Sequence, residues 1–169
     1  MNIIFIDFDG VLNNRLSMFV RNIDRSKGLF SRDCLDLFKI LLDKTDSKFV
    51  VSSSWRARGV DLFDSRNAKI HQAFDDNGFE DWRDYVYNSG VTKHLDTKLR
   101  GDDIQEFIDN NINDPQFEHH NYVIIDDDSD MLPHQYKHFV QTNEIDGLTV
   151  HNIMHAARIL EKKLHWNME

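Results

Sequence analysis

The chain has 169 residues, 40% of them hydrophobic, with 20 Lys and Arg against 29 Asp and Glu and a formal net charge of −9. That is enough apolar content for one core, so a single domain over residues 1–169 is expected, while the acidic balance argues against an extended grip on duplex nucleic acid, which needs a basic face. The lone cysteine, Cys34, excludes an internal disulfide, and the N-terminal apolar run is too short and too acidic for a membrane span or signal peptide; a cytoplasmic setting is expected.

Residues 2–7 form a short apolar run that ends in Asp7-Phe8-Asp9-Gly10, and they read as a buried strand closed by a turn at Gly10. Strand alternation puts Asp7 and Asp9 on one side with Phe8 opposite. Two carboxylates this close repel each other unless something positive neutralises them. They point to a bound divalent cation, or to a nucleophile paired with a general acid. The segment Asn13 to Phe30 reads as a flap. A helix is expected near 31–44, with Ser31 as its N-cap and Cys34 at a buried position.

A second apolar strand near 48–53 runs into Ser52-Ser53-Ser54-Trp55-Arg56. A helix near 66–76 follows, and another near 102–111. Between them a strand is expected near 84–87, with 147–150 as the alternative position for it. Residues 121–126 repeat the opening design: an apolar strand unloads Asp126-Asp127-Asp128-Ser129-Asp130 at its carboxyl end. A strand near 138–142 and a helix over 151–165 complete the chain, and the two prolines, Pro115 and Pro133, mark breaks. Strands alternating with helices imply a mostly parallel sheet covered on both faces, a three-layer α/β/α sandwich.

In open parallel sheets ligands bind outside the carboxyl ends of the strands, so the two acidic clusters can converge on one cation. Oxygen ligands alone favour Mg²⁺ over zinc. Asp128 and Asp130 are either part of that site or an exposed acidic loop. His151 and His155 have the spacing of a helical metal pair but no third ligand beside them. His119 and His120 read as loop residues. Trp55, Trp82 and Trp166 could stack on a base, though aromatic residues in a small domain more often serve as core or cover.

The order and spacing of these motifs resemble the haloacid dehalogenase (HAD) superfamily of phosphotransferases. Asp7-Phe8-Asp9-Gly10-Val11 is similar to its first motif, the strand 48–53 ending in serine to its second, and Asp126-Asp127 to its fourth. The third motif is a Lys or Arg near a helix start; Arg100, just before Gly101-Asp-Asp-Ile-Gln-Glu-Phe-Ile, is the best candidate, with Lys98 as runner-up. The strings Asp-Gly-Val-Leu-Asn, Ser-Ser-Trp-Arg, Arg-Gly-Asp-Asp-Ile-Gln-Glu-Phe, Ile-Asp-Asp-Asp and Gly147-Leu-Thr resemble a subgroup that includes HAD domains of RNA-repair proteins, over roughly residues 2–150.

The resemblance implies a HAD-like Rossmannoid fold with at most a minimal cap, and a phosphatase chemistry. Asp7 would be the nucleophile and Asp9 the general acid and base. Mg²⁺ would be held by Asp7, the backbone carbonyl of Asp9 and the Asp126–Asp127 pair, with Asp127 favoured as direct ligand and Asp126 as the orienting one. Ser53, or Ser54 in its place, would hydrogen-bond a phosphoryl oxygen, and Arg100 or Lys98 would add positive charge. Arg56 would either touch substrate phosphate or form a surface ion pair. By the same resemblance, capless members tend to act on phosphate groups of large substrates such as polynucleotide ends or phosphoproteins, so a nucleic-acid end or a nucleotide is the expected partner, with a 3′-phosphate favoured. A phosphatase for a small metabolite and a non-catalytic nucleotide binder are the alternatives.

Overall fold

The computed structural model describes residues 1–24, 28–95, 99–117 and 121–162. Its centre is a parallel sheet of five strands in the order β3-β2-β1-β4-β5. The strands are β1 (Asn2–Ile6), β2 (Ser47–Val51), β3 (Val86–Val91), β4 (Tyr122–Asp126) and β5 (Phe139–Gln141). Every residue of β1 is buried because helices cover both faces. Ile4 and Ile6 join a core with Leu35, Phe38, Phe74 and Ile153. Ile3 and Phe5, of opposite parity, join a second core with Ile104, Phe107 and Ile108. A strand buried on both sides shows a continuous apolar run with no polar alternation, as Ile3 to Ile6 does.

The helices are α1 (Arg15–Ile23), α2 (Arg32–Thr45), α3 (Ala68–Asp75), α4 (Arg100–Asn111) and α5 (Val150–Ile159). Ser31 caps α2, its side chain accepting from the Cys34 N–H, and Cys34 is buried as expected. The segment expected as a helix near 66–76 opens with a 3-10 turn at Ser65–Asn67 before α3 begins. The uncertain strand lies at Val86–Val91, whereas 147–150 is the turn into α5, where Gly147 takes a φ of 68°. The helix expected over 151–165 ends earlier, at Ile159, with a turn at Leu160 and Glu161; residues 163–165 lie outside the described residues.

The expected flap is where sequence and structure differ. Arg15–Ile23 is a helix, begun by a capping box in which the Asn14 side chain accepts from the Ser17 N–H and the Ser17 side chain accepts from the Asn14 N–H. It has no buried residue, although Leu16, Phe19, Val20 and Ile23 recur at the i, i+3, i+4, i+7 spacing of an amphipathic helix, so the sequence carries an apolar stripe that the fold leaves exposed.

The topology sets the site. From β1 the chain moves outward through β2 to β3, then returns to place β4 on the other side of β1. The reversal leaves a crevice at the carboxyl ends of β1 and β4, the usual ligand position in such sheets. Ile6 pairs in register with both Val51 and Ile125, so Asp7, Ser52 and Asp126 emerge at one level. No helix among the described residues is long and apolar enough to cross a membrane.

Candidate active site

Asp7 is the first residue past β1 and is nearly buried, its N–H donating to the Ile125 carbonyl at 3.0 Å. Burial raises its carboxyl above the ordinary range, opposed by the Arg100 charge and a hydrogen bond from Ser53. Its Oδ1 is buried without a hydrogen-bond partner among the described residues. Leaving an acceptor dry costs about 1–3 kcal/mol, more when it is charged, unless a ligand satisfies it.

β1 ends at Ile6, so Asp9 does not sit on a continuing strand. The Phe8 carbonyl accepts from the N–H groups of Val11, Leu12 and Asn13, and Gly10 takes a φ of 70°. This turn buries Phe8 and leaves Asp9 exposed, so the two aspartates differ in environment although they are two residues apart. Asp9 is held from both sides: Oδ1 accepts from Asn13 Nδ2 and Oδ2 from Trp55 Nε1, each at 2.8 Å. The Trp55 ring is itself fixed, stacked on Phe30 at 5.7 Å with the Lys69 ammonium 3.5 Å from its centre. Trp55 and Asn13 were not expected as holders of Asp9; their only signals are adjacency to the serine run and a four-residue offset from Asp9.

Ser53 is fully buried and Ser54 exposed, so it is Ser53 that reaches Asp7. Arg100 opens α4 and donates from Nη1 to the Ser52 carbonyl at 2.6 Å, with Nε 3.6 Å from Asp126 Oδ2. Asp130 holds that helix start in place: its Oδ2 accepts from the Arg100 N–H at 2.9 Å, and its carbonyl accepts from the Gly101 N–H. Lys98, the runner-up to Arg100, lies outside the described residues, as do His119, His120 and Trp166.

Arg56 faces the interior. Its Nη2 donates to Asp103 Oδ2 at 2.6 Å and its Nε to the Thr92 carbonyl at 2.9 Å, while Nη1 donates to the Ser53 carbonyl. Of its two expected roles it forms the ion pair, but a buried one that ties the serine loop to α4. Burial and the Arg100 charge push its guanidinium down to about 10, with Asp103 opposing, so it stays protonated at neutral pH.

At the end of β4, Asp126 is nearly inaccessible and Asp127 half-buried. Burial and the Asp7 charge push Asp126 up to about 8, and burial with the Asp128 charge raises Asp127. Asp7, Asp126 and Asp127 each offer an oxygen within 4.8 Å of the others. Asp126 Oδ1 also accepts from the Asp128 N–H at 3.0 Å. The donor set fits a hard divalent cation: all oxygen, three carboxylates, one atom left without a partner. Gly10 makes room for the Asp127 carboxylate, since a Cβ there would lie 2.3 Å from Asp127 Oδ2. His151 and His155 are exposed on α5 and join no such cluster among the described residues, and Trp82 is buried in the core.

Neighbouring strands β1, β2 and β4 thus each deliver a polar group to one edge of a parallel sheet, with a cation from the first turn of α4 among them; this is the layout of a HAD-type α/β fold. The assignment narrows further by comparison. A family model described as the HAD domain in Swiss Army Knife RNA repair proteins matches residues 3–153, and the chain belongs to that family. No curated protein and no solved structure matches the chain significantly. Membership places the chain among domains of phosphatase or hydrolase character.

Proposed function

We propose that the protein is a Mg²⁺-dependent phosphomonoesterase that works through an aspartyl-phosphate on Asp7 and acts on the terminal phosphate of a nucleotide or nucleic-acid end, with 3′-phosphates preferred. The observation that carries this reading is the buried Asp7, unpaired at Oδ1, within reach of two further carboxylates and under the charge of Arg100. The RNA-repair family supports the substrate class.

In the first step a carboxylate oxygen of Asp7 forms a bond to phosphorus as the bond to the leaving oxygen breaks, and Asp9 gives its proton to that oxygen. In the second, Asp9 takes a proton from water while the water oxygen attacks phosphorus; the Asp7–phosphorus bond breaks and inorganic phosphate leaves. Asn13 and Trp55 hold the Asp9 carboxylate in one plane through both steps. Ser53 and Arg100 supply a hydrogen bond and a positive charge at the phosphoryl oxygens. Mg²⁺, held by Asp7, Asp126 and Asp127 with the Asp9 carbonyl, would neutralise charge on those oxygens.

The test is phosphate release from 3′- and 5′-phosphorylated DNA and RNA oligonucleotides, mononucleotides and small sugar phosphates, in Mg²⁺ and in EDTA. Metal-dependent release from 3′-phosphorylated ends supports the full reading. Release from sugar phosphates alone transfers it to metabolites. Nucleotide binding without turnover would leave a binder.

A further inference from the structure

The helix α1 has nine residues and none of them is buried. Its start is fastened: Asn14 Nδ2 donates to the Asp146 carbonyl at 2.9 Å, the Arg15 N–H donates to the Glu144 carbonyl at 2.8 Å, and the Arg15 and Glu144 side chains pair. Phe19 is nonetheless 62% exposed and Met18 50% exposed. With Arg15 and Asn22 they form one helix face, at the i, i+3, i+4, i+7 spacing. Leu16 and Val20, on the other side, line a separate hollow with Phe30 and Asn77.

The face bearing Met18, Phe19 and Asn22 is one wall of a cavity of 520 Å³ whose opposite wall is Asp9, Gly10 and Asp127. We propose that this α1 face is the subsite for a nucleobase on the substrate, with Phe19 as the ring it stacks on. The proposal rests on the phosphomonoesterase reading above, because it is a phosphoryl group at Asp7 that brings the leaving oxygen to Asp9 and hence its substituent into this cavity. The volume lies in the range of small-ligand sites, which are typically apolar with a few polar groups. A flat ring covers Phe19 and Met18 by stacking and thioether contact. The Asn22 amide, both donor and acceptor, suits the polar edge of a base. A polyol substituent would instead set hydroxyls against Phe19 and leave the apolar wall unmatched. The same nucleoside phosphate can come as a free mononucleotide or as a strand end, and the two are separated by assay.

The experiment compares adenosine 3′-monophosphate, an oligonucleotide ending in adenosine 3′-phosphate, and glycerol 2-phosphate as a ring-free reference. Phe19→Ala should lower the ratio of kcat/KM for either adenosine substrate to that for glycerol 2-phosphate about tenfold, chiefly through KM, and Phe19→Trp should preserve it. The adenosine substrate with the larger loss identifies the natural form. A ratio unchanged in Phe19→Ala overturns the subsite.

Binding is measured separately by calorimetry with adenosine 3′-monophosphate on Asp7→Asn protein. Adding Phe19→Ala should weaken binding by a similar factor. If the wild type releases no phosphate from any of the three, the hydrolase reading fails, and this binding loss still supports the subsite. No binding, or binding indifferent to Phe19, refutes the subsite whatever the turnover.

Discussion

Replacing Arg56 by methionine removes the cation from a buried ion pair and leaves its acid behind. The two side chains are 1% and 7% exposed, with Nη2 2.6 Å from Asp103 Oδ2. Breaking such a pair from one side costs about 3–5 kcal/mol, because the remaining charge is dry and uncompensated. Among the described residues Asp103 keeps the Leu95 N–H at 2.9 Å from Oδ1, and His94 Nδ1 lies 4.0 Å from Oδ2, which places the expected cost near the lower end, about 3 kcal/mol. For a chain of this size each kcal/mol moves the melting midpoint by about 2–4 °C, so Arg56→Met should lower it by about 6–12 °C. Urea unfolding followed by circular dichroism measures the same loss. The double variant Arg56→Met/Asp103→Leu should recover most of it, since an apolar replacement of a whole buried pair is often neutral. The pair also clamps the Ser53 loop to the helix that carries Arg100. Turnover of Arg56→Met should therefore fall even at temperatures where the variant is fully folded. A single variant within about 1 kcal/mol of wild type would refute the idea that this pair holds the site together.

Three further outcomes follow from the geometry. In metal-free protein the raised pKa of Asp126 means the folded state holds a proton that the unfolded chain has lost. Its stabilising contribution is present below the ordinary value of 3.8 and is lost as pH rises through about 8, so metal-free stability should decline across that window and Mg²⁺ should restore more of it at the alkaline end, as urea midpoints would record. Gly10→Ala places a Cβ 2.3 Å from Asp127 Oδ2 at a φ of 70°, so it should displace that carboxylate and weaken Mg²⁺ binding about tenfold or more by calorimetry. Trp55→Phe keeps a ring against Phe30 but removes the N–H donated to Asp9. That donor fixes the acid for proton transfer, so kcat should fall about tenfold, about 1.4 kcal/mol of barrier, while the loss of one exposed hydrogen bond should change the melting midpoint little.

The parts legible in the sequence were those whose signal is local. The run from Ile3 to Ile6 and the run before Asp126 are apolar because both faces of their strands are covered, and the acids that follow mark where the sheet ends. The Ser31 cap and the start of α4 could be read from residue type and position. The exposure of α1 could not be read: Leu16, Phe19, Val20 and Ile23 recur at helical spacing after the Asn14–Ser17 capping box, yet nothing in that stripe shows that the fold leaves it uncovered. Nor could the different fates of Asp7 and Asp9, which depend on Gly10 bending the chain immediately after the strand. Which serine meets Asp7 was open because it depends on where β2 stops, and β2 stops at Val51. The inward turn of Arg56 was hidden for another reason: its partner Asp103 is 47 residues away on a helix that only the sheet topology brings near.

The central claim is that Asp7 is a nucleophile, and the most direct measurement is peptide mass spectrometry after rapid acid quench of enzyme mixed with Mg²⁺ and a 3′-phosphorylated oligonucleotide. The account predicts a phosphoryl adduct on Asp7 that forms and decays within a turnover and is absent in Asp7→Asn, which also releases no phosphate. Phosphate release with no adduct, or undiminished release by Asp7→Asn, would contradict it.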